Sequence, residues 1–288
     1  MTIWNLGSIN IDRLYRVKHL PVPGETLAAS EHSEGLGGKG ANMSVAAARA
    51  AAHVVHVGAV GSDGRWAAER LLEYGVDTRC ISEVDGPTGH AIIAVDAEGE
   101  NNILLWPGAN GAITDDMIGQ ALSQAASGDW LLMQNETSGQ THAAQMGRAL
   151  GLKVAYAAAP FDAEAVRAVL PVLDLLVMNA VEAEQLSAAT GQAPDALGVQ
   201  LVIVTKGADG CTIYDGGVQT DFPAIPVEAV DTTGAGDTFT GYVVAGLDRG
   251  ELPAQAVTRA GLAAAIMVTR VGTADVIPDL KDIEDARL

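Results

Sequence analysis

The strongest constraint on the fold of this chain is an alternation. From residue 37 onward, short runs rich in β-branched residues are separated by Ala-rich stretches of helical length. Consecutive parallel strands need a crossover of a dozen or more residues, and a helix supplies it, so this pattern builds βα units. The fold class expected is therefore α/β, with an open, mostly parallel sheet flanked by helices. Strands are expected at 2–7, 53–59, 129–134, 152–157, 174–178 and 201–205. Helices are expected around 40–51, 64–74, 139–150, 181–189, 235–248 and 254–268. A length of 288 residues with 48% hydrophobic and 18% charged residues suits one large core, and it excludes both a disordered chain and a small disulfide module.

Two regions break the alternation. In residues 11–34, IDRLYRV and ETLAASEHS flank PVPG, and in residues 89–106, GHAIIAVD and NNILLW flank AEGE. Both read as extended strand pairs without helices, joined by turn residues. They predict a small β-sheet built from 10–36 and 89–106, standing outside a core made of 1–9, 37–88 and 107–288. Ile92, Ala94, Ile103 and Leu105 are expected to give this sheet one apolar face. Such a face with an exposed sheet edge predicts a homodimer through the small sheets.

Charge narrows the partners. Lys plus Arg total 17 against 36 Asp plus Glu, for a net charge of -19 and a pI near 4.5. That field repels nucleic acid and anionic membranes. Two cysteines give no disulfide framework, the start MTIWNLGSIN lacks the pattern of a secretion signal, and no apolar stretch reaches the roughly 20 residues of a spanning helix. A cytoplasmic protein without membrane or nucleic-acid partners is expected.

In an open α/β sheet, ligands gather outside the carboxyl ends of the parallel strands. Polar residues follow these ends: Asn10 and Asp12 after the first strand, Asn135 and Glu136 after LLMQ, Asn179 and Glu182 after LLVM, and Lys206 and Gly207 after VIVT. Strand ends open into polar loops in any protein of this class, but their coincidence suits a hydroxyl-rich ligand, a metal or both. The segment DTTGAGDTF places Gly234, Ala235 and Gly236 at the start of an apolar helix, where free N–H groups can meet an anion. The same residues would also serve as a plain turn capped by Asp231 or Thr233. GLGGKGAN departs from the phosphate loop G-x-x-x-x-G-K-[ST], because Gly40 follows Lys39. It suits backbone, Lys39 and Asn42 contacts to a small polar substrate.

GSINID with PVPGET, GGKGAN, PGAN, LLMQNE, NAVEAE, VTKGADG, DTTGAGDTF and AAAIMVTRVG occur in that order along nearly the whole chain. In this series the chain resembles the ribokinase-like, or PfkB, family of sugar kinases. The resemblance implies ATP-dependent phosphorylation of a sugar hydroxyl, with D-ribose at O5 the first expectation. A nucleoside, another furanose or hexose, or a keto-sugar acid is the alternative. It implies Asp237 as catalytic base and the backbone of Gly234, Ala235 and Gly236 as the anion hole. Asn10, Asp12, Gly38, Lys39, Asn42 and Glu136 would hold the sugar. Asn179, Thr205, Lys206, Gly207, Gly210 and Gly236 would lie beside the nucleotide, and Asn179 and Glu182 would organise Mg2+ through water. The small sheet would be a lid over the sugar. Potassium would bind between the turn at Asp231 and Thr233 and the loop 268–276, where Val276 replaces a serine of potassium-activated members. Ala157 and Ala158 replace a common Asn-Pro, NAVEAE replaces NETEAE, and Gly261 and Leu262 replace polar residues near the adenine. At a helix N-terminus, Asp237 is expected to be held ionised by the helix dipole.

Overall fold

The computed structural model describes residues 1–286, so the last two residues assigned to the core, 287 and 288, lie outside the described residues. The strands are β1 (Thr2–Leu6), β2 (Asn10–Arg16), β3 (Glu31–Gly37), β4 (His53–Val60), β5 (Asp77–Glu83), β6 (Gly89–Val95), β7 (Asn101–Trp106), β8 (Trp130–Gln134), β9 (Lys153–Ala157), β10 (Leu175–Asn179), β11 (Leu201–Thr205), β12 (Cys211–Asp215) and β13 (Val218–Phe222). The α-helices are α1 (Lys39–Arg49), α2 (Arg65–Glu73), α3 (Asp115–Leu122), α4 (Gln140–Ala149), α5 (Ala163–Val169), α6 (Ala180–Thr190), α7 (Ala235–Asp248), α8 (Pro253–Met267) and α9 (Leu280–Asp285).

Nine strands form one sheet in the order β13-β12-β11-β10-β9-β8-β1-β4-β5. From β5 to β11 every pairing is parallel, and β12 and β13 add an antiparallel edge. Alternate residues of each strand feed two cores. Ile3 of β1 and Leu175 and Val177 of β10 pack with α1, α2, α7 and α8 on one face. Trp4 and Leu6, with Leu176 and Met178, pack with α3 to α6 on the other. A sheet covered on both faces needs strands that are apolar at every position, which is why the buried strands were legible as continuous hydrophobic runs.

The second sheet has the order β3-β2-β6-β7. Its composition corrects two expectations. Glu25–Ser30 is not strand, because the partner of β2 starts only at Glu31. Nor do Ile92, Ala94, Ile103 and Leu105 share a face. The β6–β7 register sets Ile92 opposite Leu104 and Ile93 opposite Ile103. Residues directly opposite point the same way, so Ile92 and Ala94 lie with Leu104 and Trp106, while Ile103 and Leu105 lie on the other side with Ala91 and Ile93. β5, β12, β13, α3, α5 and α9 are elements that the alternation did not predict.

Candidate active site

The parallel strands deliver Gln134, Ala157, Asn179 and Thr205 to one edge of the large sheet. The small sheet springs from the same edge, since only three residues separate the end of β1 from the start of β2. Asn10 and Asp12, two residues apart on β2, therefore face the same way. The Asp12 carboxylate sits over Gly37 of the neighbouring β3, where a Cβ would lie 2.1 Å from its Oδ2. Only glycine leaves that room.

Gly38, with φ 94°, is the residue before α1 and turns the chain into the helix. The helix then starts against β1, so closely that a Cβ on Gly40 would meet the Gly7 Cα at 2.3 Å. Behind this contact runs a polar network whose side chains are all completely buried. The Gln134 amide donates to Asn5 Oδ1 at 2.7 Å, and the Asn5 amide donates to Ser44 Oγ and to the Gly40 carbonyl, both at 2.8 Å. His56 lies 2.8 Å from Ser44 Oγ through Nδ1 and 3.0 Å from the Gly7 carbonyl through Nε2. The carbonyl can only accept, so Nε2 carries the proton and Nδ1 accepts from the Ser44 hydroxyl. Burial pushes the His56 pKa down to about 4, which keeps the ring neutral and the network directed one way.

On the ligand side of α1 the functional groups converge. Asp237, in the first turn of α7, is buried. Its Oδ2 accepts from Asn42 Nδ2 at 2.9 Å, and Lys39 Nζ stands 3.9 Å from Oδ1. The Asn42 Oδ1 is buried and has no partner among the described residues. Glu136 accepts at Oε2 from the Ser8 hydroxyl and from the Lys39 backbone N–H at 3.1 Å, while Ser8 Oγ accepts from Gly40 N–H. Glu182 is buried and acts electrostatically on both Lys39 and Asp237. Lys39 is thus one cation among several carboxylates, and its pKa is raised chiefly by Asp237.

The electrostatics correct the expectation for Asp237. Burial raises its pKa, outweighing Lys39 and Asn42, which lower it; Glu136 and Glu182 push it further up. The helix dipole is not the deciding influence, because removing a carboxylate from water disfavours its charge more strongly. Asp12 is raised to about 7 by burial, then by Glu136 and Asp237.

The remaining residues fall around this cluster. Asn179 and Glu182 form a reciprocal cap on α6: Asn179 N–H donates to Glu182 Oε2 at 2.8 Å, and Glu182 N–H donates to Asn179 Oδ1 at 2.9 Å. One carboxylate oxygen and one amide group are thus used in the cap. Thr205 lies in register with Asn179, and the loop from Lys206 through Gly207 to Gly210 is closed by Lys206 N–H donating to the Gly210 carbonyl. The Lys206 ammonium is tied 3.3 Å from Asp221 Oδ1 rather than to the acidic cluster. Gly234 takes a left-handed φ of 78° immediately before α7, and Gly236 is exposed with open space at its Cα. Asp231 accepts at Oδ1 from Thr233 N–H and at Oδ2 from Gly272 N–H, which clips the turn 231–233 to the loop after α8. Thr233 itself is exposed. Ala157 and Ala158 are buried, so neither offers a polar group here.

Sequence reasoning missed Ser8, Asn110 and the network behind α1. A signal existed for two members of that network. Asn5 in TIWNL and His56 in HVVHVGA are polar residues inside otherwise apolar buried strands, where each must find a partner.

Comparison with known proteins agrees with this geometry. Residues 2–280 match the model of the pfkB family carbohydrate kinases. The chain is 37% identical to the ribokinase of Haemophilus influenzae over 96% of this chain and 95% of that one. The ribokinase of Thermotoga maritima superposes with a TM-score of 0.89 at 33% identity, covering 99% of this chain and 98% of the other. The ribokinase of Arabidopsis thaliana, solved with ribose and ATP, superposes with a TM-score of 0.87 at 28% identity over 98% and 97%.

Proposed function

The chain belongs to the pfkB family of carbohydrate kinases and is an ATP-dependent sugar kinase, and from that premise we propose that it phosphorylates D-ribose at O5. The observation that carries the reading is the placement of Asp237: buried in the first turn of α7, held by Asn42 and Lys39, and beside the sugar-facing groups Asp12 and Glu136. Asn10, Asp12, Asn42 and Glu136 offer paired donors and acceptors to adjacent hydroxyls. A site built to bond a hydroxyl rejects analogues that lack it, so 2-deoxyribose should be clearly poorer.

Phosphoryl transfer depends on positioning and charge neutralisation more than on covalent chemistry. The raised pKa of Asp237 makes it a better acceptor for the hydroxyl proton than an ordinary carboxylate. The first N–H groups of α7, beside Gly234, Ala235 and Gly236, face the charge that develops on the transferred group. Among the described residues no group of three or more His, Cys, Asp or Glu could hold a metal alone. Magnesium would arrive with the ATP phosphates and be reached through water by Glu182 and Asn179, because Mg2+ commonly keeps several waters and one or two carboxylates. When bound, it neutralises phosphate charge.

Two further assignments belong to the same reading. The clip between Asp231 and Gly272 brings together the two segments that would hold potassium, mostly through backbone carbonyls, with Val276 adding no side-chain ligand. A second copy of the chain would cover the lid, where Ile92 of β6 with Leu104 and Trp106 of the edge strand β7 form an exposed apolar surface. No helix among the described residues is long and apolar enough to cross a membrane. Cys80 and Cys211 are free thiols, which fits the reducing cytoplasm.

Coupled ADP release measured over pentoses, hexoses and nucleosides tests the reading. D-Ribose should give the highest kcat/KM, and an equal or higher value for a nucleoside or a hexose would overturn it.

A further inference from the structure

Asn110 lies in the single-turn helix Gly108–Ala112 that follows the lid strand β7, and its side chain is almost completely buried. It reaches across to the start of β2, about a hundred residues earlier in the chain. Its Oδ1 accepts from the Ile9 N–H at 2.9 Å, and its Nδ2 donates to the Ile9 carbonyl at 3.2 Å and to Asn10 Oδ1 at 2.8 Å. The backbone carbonyl of Asn110 also accepts from the N–H of Ser138, in the loop that carries Glu136. None of these bonds touches a ligand, yet together they decide what Asn10 can offer one.

The deduction needs only donor and acceptor chemistry. The Ile9 N–H can only donate, so the Asn110 atom facing it is the oxygen and the atom on the other arm is the NH2. That NH2 meets the Asn10 side chain, so the Asn10 atom turned towards it is the oxygen. The Asn10 nitrogen is then the atom left over, and it makes no hydrogen bond among the described residues, although Asn10 is buried. An amide that is free to turn offers a ligand either a donor or an acceptor; this one is turned by its neighbour. Gly89 makes the contact possible, since a Cβ there would lie 2.1 Å from Asn110 Nδ2 and 2.5 Å from Asn10 Oδ1.

We propose that Asn110 is a positioning residue that sets substrate specificity, fixing the Asn10 amide so that position 10 presents an N–H donor to the sugar beside the acceptor carboxylate of Asp12. This rests on the sugar kinase reading of Asn10 and Asp12. A donor next to an acceptor suits two neighbouring hydroxyls, one accepting and one donating. Two acceptors side by side would suit them less well, because the carboxylate of Asp12 already lies among Glu136 and Asp237.

The test is steady-state kinetics with ribose and ATP on five proteins: the parent, Asn110→Ala, Asn110→Asp, Asn10→Ala and the double Asn10→Ala, Asn110→Ala variant. Asp at 110 keeps an acceptor for the Ile9 N–H but cannot donate, so it lets Asn10 turn its oxygen to the sugar while preserving most of the local packing. Both single changes at 110 should raise the KM for ribose about tenfold, the scale of one hydrogen bond lost with its partner left unmatched, with the KM for ATP and kcat within several-fold of the parent. In the Asn10→Ala background, Asn110→Ala should raise the ribose KM no further. A structural pin behaves differently. Additive effects in the double variant, or equal losses in the KM for ATP and in kcat, would overturn the assignment. If Asn110→Ala fails to fold, Asn110→Asp decides on the KM for ribose alone, and an unchanged value overturns it. A parent without ribose-dependent ADP release overturns the ribose reading and the assignment with it; a parent with turnover and unaltered variants overturns only the role of Asn110.

Discussion

The floor of the site and its roof are built on opposite terms. The floor, where α1 meets β1, β4 and β8, buries Asn5, Ser44, His56 and Gln134 completely and links them by directed hydrogen bonds. The roof, a four-stranded sheet, leaves Leu104 at 66% and Trp106 at 57% exposure. Buried polar groups that are paired specify one arrangement, since each lost bond leaves an unmatched group in low dielectric, and in this network Gln134 Oε1 is the atom without a partner among the described residues. An exposed apolar sheet has no such demand until something covers it. Precision resides where such pairing is found: beside the floor network at Lys39, Asn42, Glu136 and Asp237, and on the roof at the base of β2, where Asn110 holds Asn10.

The largest effect should come from the reacting group on the floor. Asp237→Asn keeps the bond-making shape but removes the proton acceptor, and kcat should fall by about two orders of magnitude or more, with the ribose KM within several-fold. Near-normal turnover would show that another group takes the proton. Next in size is the pH dependence of Asp12, which links roof to floor. Its pKa of about 7 lies above that of an unfolded aspartate, so the unliganded fold gains stability as pH falls from about 7 towards 4. Under the proposed role of Asp12 in holding the sugar, ribose binding runs the other way, because the ionised carboxylate would be the acceptor. The KM for ribose should rise about tenfold between pH 8 and pH 6. Glu136 and Asp237 act on the same carboxylate, so Asp12→Asn is the control: its residual pH dependence should be flatter, and an unchanged slope would assign the effect to those neighbours.

A paired measurement separates floor from roof. His56→Phe strands the Ser44 hydroxyl and the Gly7 carbonyl, at a cost of about 1 to 3 kcal/mol, and should lower Tm by several degrees without changing the oligomeric state. Leu104→Glu should leave Tm close to the parent when extrapolated to low protein concentration, and should convert a dimer to a monomer in light scattering. The same response to both changes would erase the distinction. The smallest effect is expected at the potassium loop. Val276→Ser adds one neutral oxygen, and turnover at constant ionic strength should half-saturate at a few-fold lower potassium. No response to potassium in the parent, or no shift in the variant, would remove the cation from the account.

How much of this was legible follows from what each residue is pressed against. The strands buried on both faces announced themselves, since TIWNL, WLLMQ and LVIVT are apolar almost throughout. β5 did not, because DTRCISE lies at the edge of the sheet and alternates weakly. The faces of β6 and β7 could not be read from composition. They depend on the pairing of Ile92 with Leu104, and a slip of one residue would exchange both faces. Motifs located Asp237 and Glu136, but their protonation depended on burial and on one another, quantities set by folding. Asn110 carries no charge and no motif beyond PGAN, and its role exists only where β2 and the turn after β7 meet.

The position of the phosphate on the product tests the central claim most directly. With ribose and ATP supplied, the proton-coupled phosphorus NMR signal of the product should be a triplet, because a phosphate on O5 couples to the two protons of C5. A doublet would place the phosphate on a carbon bearing a single proton. The hydroxyl facing Asp237 would then not be O5, and the arrangement of Asn10, Asp12 and Glu136 around the sugar would have to be reversed.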